Sequence, residues 1–149
     1  MRNREEKIER SCGAVVFTRD HGKICYVIVE SKGGYFGFPK GHMEDSETER
    51  ETALREIWEE TGLQVALLDE FRTEDSHTLA REGHPEITKH IVYFLAQYSD
   101  QTPAAQESEL NSVHLMEYDM AMQAFQFESS RRILREANCW LLENTEVEQ

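Results

Sequence analysis

The chain has 149 residues, 39% of them apolar and 30% charged, with 16 Lys plus Arg against 29 Asp plus Glu and a formal charge of −13. Its length and composition fit an ordinary globular chain, so residues 1–149 are read as a single domain around one core. The acidic balance excludes the basic footprint of a protein that binds long nucleic acids, and it admits an anionic substrate only where local cations or a divalent metal reverse the field.

The N-terminal stretch Met1 to Arg10 is charged, so no secretory leader is expected there. No apolar run approaches the roughly 18 residues of a membrane span. Ser11–Thr18 and Ile24–Glu30 are rich in β-branched and aromatic residues around the turn-forming Asp20-His21-Gly22-Lys23, and they are expected to form a hairpin. Residues 31–45 carry Gly33, Gly34, Gly37, Pro39 and Gly41 and read as a loop, with a short strand around Tyr35–Phe38.

Ser46 followed by Glu49 fits a capping box and Gly62 fits a helix C-terminus, so a helix is expected over about Glu47–Glu60. Leu54, Ile57 and Trp58 share one stripe, expected to face the core. Strands are expected at Leu63–Phe71 and Ile91–Tyr98, separated by a polar loop over Arg72–Thr88. After a polar connection, Ser99–Glu107, a strand around Val113–Tyr118 precedes a C-terminal helix with Ile133, Leu134, Ala137, Trp140 and Leu141 at helical spacing. Cys12, Cys25 and Cys139 show no C-x-x-C spacing and are expected to be free thiols of a cytoplasmic protein.

The chemistry concentrates in the bracketed helix. Glu56, Glu59 and Glu60 stand at i, i+3 and i+4, and like charges so spaced cost about 0.2–0.5 kcal/mol per pair on a solvated helix. A hard divalent cation relieves that repulsion. Oxygen ligands without neighbouring Cys or His point to Mg²⁺, with Mn²⁺ as the alternative, and such ions bring phosphate oxygens with them. An acidic solvated helix face is the competing explanation of the triplet taken alone.

The surrounding pattern decides between them. Gly41, Glu47, Arg55, Glu56, Ile57, Glu59, Glu60, Gly62 and Leu63 match, in order and spacing, the box G-x5-E-x7-R-E-U-x-E-E-x-G-U, where U is aliphatic, and the chain thereby resembles the Nudix hydrolase family. The resemblance implies an α/β/α sandwich with a mixed sheet, and Mg²⁺-dependent cleavage of a phosphoanhydride bond in a small-molecule nucleotide. It implies Glu56, Glu59 and Glu60 as metal ligands, joined by the Gly41 carbonyl, and an Arg55–Glu47 ion pair that fixes the loop on the helix. Glu59, Glu60 and Glu109 are the candidates for the base, with Arg55 counted in the catalytic set.

Within that family, Phe38-Pro39-Lys40-Gly41-His42 and Ser11 to Phe17 are similar to the asymmetric diadenosine tetraphosphate hydrolases, which cleave their substrate to ATP and AMP. By that similarity Lys40, His42 and Lys89 are expected to contact phosphate. The tyrosine that stacks on adenine in those enzymes is replaced, His77 being the nearest equivalent, so Tyr35, Phe36, Tyr118 and Phe127 become the stacking candidates. A broader nucleoside triphosphate or nucleoside diphosphate-linked pyrophosphatase and a non-catalytic nucleotide sensor are the alternatives. No membrane or long nucleic acid partner is expected, and the chain is expected to be a monomer or homodimer.

Overall fold

A computed structural model describes residues 6–106 and 110–144. Its first hairpin pairs β1 (Glu6–Asp20) with β2 (Lys23–Ser31) through a tight turn. His21 and Gly22 take the left-handed backbone, φ 51° and 83°, that a two-residue turn matching the strand twist needs. The glycine-rich stretch that follows holds two short strands, β3 (Phe36–Gly37) on β2 and β4 (Lys40–His42) on β1.

Helix α1 (Glu49–Thr61) starts two residues later than the sequence suggests. Thr48 is the N-cap, accepting from the Glu51 amide while Glu51 accepts from the Thr48 amide. Ser46 cannot serve, because its φ of 72° places it in the left-handed region, whereas an N-cap needs extended backbone. Gly62, at φ 77°, closes the helix as expected.

The stripe expectation is corrected too: Ile57 is buried, but Leu54 is 38% and Trp58 55% exposed. The buried face of α1 is Thr52, Ala53, Ile57 and Thr61, of which Thr52, Ala53 and Thr61 are small enough to let the helix lie close to the sheet.

β5 (Ala66–Leu79) and β6 (Glu86–Gln97) replace the expected polar loop over Arg72–Thr88 with a long antiparallel hairpin. Toward the hairpin end the β5 side chains from Ser76 to Leu79 are exposed, so the polarity that reads as loop there is that of a solvated strand. The hairpin is stiffened by β1, which runs parallel to β6 from Glu6↔Glu86 to Phe17↔Gln97. The sheet closes with β7 (Leu110–Glu117) on β2, giving the order β3-β2-β1-β6-β5 with β4 and β7 as side branches.

Two helices end the described chain, α2 (Tyr118–Ala124) and α3 (Glu128–Glu143). Strand alternation divides the core into two layers. Ala14, Val16, Val92, Phe94 and Ala96 meet Ala53 and Ile57 of α1. Val15, Phe17, Tyr93 and Leu95 meet Ile133, Leu134 and Ala137 of α3 on the opposite face. The result is the expected α/β/α sandwich on a mixed sheet.

Candidate active site

Four elements converge on a cleft of about 430 Å³. Strand β4 contributes Lys40, Gly41 and His42, and the second half of α1 contributes Glu56, Glu59 and Glu60. The floor comes from the sheet: Glu9 and Ser11 of β1 stand beside Lys89 and Ile91 of β6, since Glu9 pairs with Lys89 and Ser11 with Ile91.

The carboxylates are held by a dense local network. Arg55 Nε donates to Glu47 Oε2 at 2.6 Å and its Nη2 to Glu47 Oε1 at 3.0 Å, a two-pronged pair of the geometry that guanidinium and carboxylate favour. Nη2 also donates to the His42 carbonyl at 2.9 Å, fastening β4 to the helix. Nη1 donates to Glu56 at 2.8 Å and to Glu59 at 3.1 Å, so one guanidinium holds two members of the acidic triplet. The third, Glu60, accepts the Lys40 amide at 3.3 Å.

Electrostatics separates these acids. The Arg55 bonds, helped by the Glu44 amide and the Thr52 hydroxyl, draw the Glu47 carboxyl down to about 2. Burial pushes the Glu56 carboxyl above its ordinary range, against the pull of Arg55 and with the neighbouring Glu59 adding to the rise. Gly41 explains why that burial is tolerated sterically: a Cβ there would lie 2.0 Å from the Glu56 carboxyl carbon, so only glycine lets the acid pack onto β4.

The donor set suits a hard divalent cation. It is all oxygen and partly desolvated, and its charge is offset by a single guanidinium. Among the described residues no three acidic, histidine or cysteine side chains already converge at ligating geometry. Arg55 engages Glu56 and Glu59, and the Lys40 amide engages Glu60.

Of the site residues expected from sequence, Lys40, Gly41, His42, Glu56, Glu59, Glu60 and Lys89 line this one cleft, while Arg55 stands behind it. Glu109 lies outside the described residues. Glu9 is the residue that sequence reasoning missed. Its Oε1 lies 4.0 Å from Lys89 Nζ and 3.9 Å from His42 Nε2, which places a carboxylate between two expected phosphate contacts. The readable signal was the alternation Glu9, Ser11, Gly13 along β1, hidden in a charged stretch that gave no reason to expect a strand.

A second cavity of about 250 Å³ opens from the cleft, sharing Lys40, Glu60 and Ile91 with it. Tyr35 and Phe127 face each other there with ring centroids 5.2 Å apart and planes inclined by 33°. Gln126 ties the two supporting segments together, donating to the Gly34 carbonyl at 3.0 Å and accepting the Phe36 amide at 3.1 Å. Phe36 lines the same cavity, whereas Tyr118 packs against the core. His77 is exposed on β5 beside Lys89, away from the aromatic pair.

Comparison with known proteins places this geometry. The chain is 30% identical over 144 residues to the asymmetrical bis(5'-nucleosyl)-tetraphosphatase of Rattus norvegicus, covering 89% of this chain and 95% of that protein, and 29% identical to the Sus scrofa enzyme over the same span. The fold matches the Caenorhabditis elegans Ap4A hydrolase binary complex with a TM-score of 0.76 at 20% identity, over 91% of this chain and 98% of that one. It also matches the NUDIX domain of Shewanella oneidensis NrtR complexed with ADP ribose, with a TM-score of 0.70 at 18% identity and coverage of 92% and 89%. The NUDIX domain model matches residues 7–137, from the first described strand to the last helix, and the chain belongs to the Nudix family of hydrolases.

Proposed function

We propose that the protein cleaves a phosphoanhydride bond in a dinucleoside polyphosphate, with diadenosine tetraphosphate giving ATP and AMP. The observation that carries this reading is the joining of two cavities: the acidic cleft flanked by Lys40 and Lys89 opens, through Lys40, Glu60 and Ile91, onto the exposed Tyr35–Phe127 pair. Anionic phosphate fits the first and a flat base the second.

Glu56, Glu59 and Glu60 would hold Mg²⁺ or Mn²⁺, which on binding supplies charge neutralisation and an acidified water. Arg55 keeps Glu56 and Glu59 oriented and anchors their helix to β4 through Glu47 and His42. Lys40 and Lys89 flank the bound phosphates. Glu59 or Glu60 takes the proton of the attacking water, whose oxygen bonds to phosphorus as the bridging P–O bond breaks. The protonated carboxyl then returns its proton to solvent. Free Cys12, Cys25 and Cys139 suit a reducing cytoplasm, and no described helix is long and apolar enough to cross a membrane.

The test is product analysis in ¹⁸O-water with Mg²⁺ and equal concentrations of diadenosine tetraphosphate, nucleoside triphosphates, ADP-ribose and diphosphoinositol phosphates. ATP plus AMP formed fastest, with one label per turnover, is the expected result. Preference for a one-ended triphosphate or for ADP-ribose would move the assignment to a broader pyrophosphatase, and no turnover with any substrate would favour nucleotide sensing.

A further inference from the structure

The face of the sheet that floors the cleft continues outward along the β5–β6 hairpin. Side chains paired across β1, β6 and β5 form successive rows on this face: Ser11, Ile91 and Asp75, then Glu9, Lys89 and His77, then Lys7, Ile87 and Leu79. Each step is two residues, or about 7 Å at the usual strand rise. The first two rows supply the floor of the cleft, whose aromatic extension begins at Ile91 and Asp75. The third row, with Arg81, His84 and Pro85 from the hairpin end, lines a separate cavity of about 310 Å³.

The three cavities therefore lie in line on one surface: aromatic pair, acidic cleft, hairpin cavity. The chemistry of the last differs from that of the cleft. Leu79, 46% exposed, forms an apolar floor with Ile87 and Pro85, while Lys7 and Arg81 bring positive charge and His84 a flat ring. The hairpin end is shaped by a turn in which the His84 amide donates to the Arg81 carbonyl at 3.0 Å, with Gly83 at φ 81°. An apolar floor edged by a guanidinium suits the face of a heterocyclic base, and the cations suit the phosphate that precedes it.

We propose that this cavity binds the distal nucleoside of a two-ended nucleotide whose first base stacks on the exposed Tyr35–Phe127 pair and whose polyphosphate crosses the cleft. The hairpin cavity then makes the site selective for two-ended over one-ended nucleotides, because a mononucleoside polyphosphate leaves it empty. This proposal rests on the dinucleoside reading above, which names the substrate class but not where its second end binds.

The experiment compares diadenosine tetraphosphate with adenosine 5'-tetraphosphate, which presents the same number of phosphates but one base. The double variant Leu79→Ser/Arg81→Ala and the single variant Ile87→Ser are assayed with both, and folding is checked by circular dichroism. Loss of one base contact predicts that kcat/KM for the two-ended substrate falls about tenfold. For the one-ended substrate it stays within about twofold. Equal effects on both substrates, or none on either, overturn the proposal while leaving the dinucleoside reading intact.

If the wild-type chain cleaves no dinucleoside polyphosphate, that reading falls and takes the proposal with it. A readout independent of turnover uses a methylene-bridged, non-cleavable diadenosine tetraphosphate with photoreactive azides on both adenines. Labelling within residues 79–87 as well as at the aromatic pair is expected, and labelling of the aromatic pair alone overturns the proposal.

Discussion

The box segment from Gly41 to Leu63 walls the cleft, the outer half of the β5–β6 hairpin extends beyond its floor, and the two are built in opposite ways. The box is constrained several times over: by a capping box, a glycine stop, a guanidinium with four acceptor groups and a glycine whose missing Cβ lets Glu56 pack onto β4. The hairpin has ladder bonds, a turn and largely exposed side chains. Under the function proposed above, chemistry that tolerates little displacement would fall on the first, and discrimination between substrates could vary on the second without disturbing it.

The sharpest way to test that division is to remove charge from the box without changing shape. Glu59→Gln and Glu60→Gln are expected to lower turnover by on the order of 10²–10³-fold. Their melting temperatures should stay near the wild-type value, because like-charge repulsion on the helix is relieved. Near-wild-type rates in both variants would remove these residues from the reaction.

A smaller effect probes the clamp behind them. Glu47 titrates near 2 in the folded chain against an ordinary 4.5, so the stability it contributes is present above about 4.5 and is lost as pH falls toward 2. Thermal unfolding followed over that window should show wild type above Glu47→Gln at pH 6, with the gap closing as acid protonates Glu47. Curves that run parallel to the acid end would mean that the Arg55 pair does not hold the loop. The smallest effect is expected on the same helix but on its far side: Trp58→Ser should change unfolding free energy by no more than about 0.5 kcal/mol. A loss of several kcal/mol would show the outer face of α1 to be as constrained as the inner one.

How far the sequence could be read follows the same contrast. The first hairpin, the C-terminal stop of α1 and the acidic triplet were legible because local chemistry alone dictates them: positive φ at Gly22 and Gly62, and helical spacing of the glutamates. The N-cap was misplaced by two residues because a left-handed Ser46 cannot be foreseen from its side chain. The Leu54 and Trp58 stripe misled because sheet proximity selects small residues for the inner face, and hydrophobicity does not report distance of approach. The hairpin was hidden by its own solvation, and Glu9 with it, since both are polar strands whose pairing partners lie far away in sequence.

That last fact also governs how the chain acquires its structure. The parallel pairing of residues 6–17 with 86–97 joins the beginning of the chain to a strand made long after α1. During synthesis β1 and its hairpin partner β2 must persist with one edge open until β6 emerges, and pairings this distant are slow to close. The floor of the cleft, which needs Glu9 beside Lys89, therefore forms only after β6 is made. A nascent chain released before residue 89 would carry the whole box and still lack the floor of the cleft.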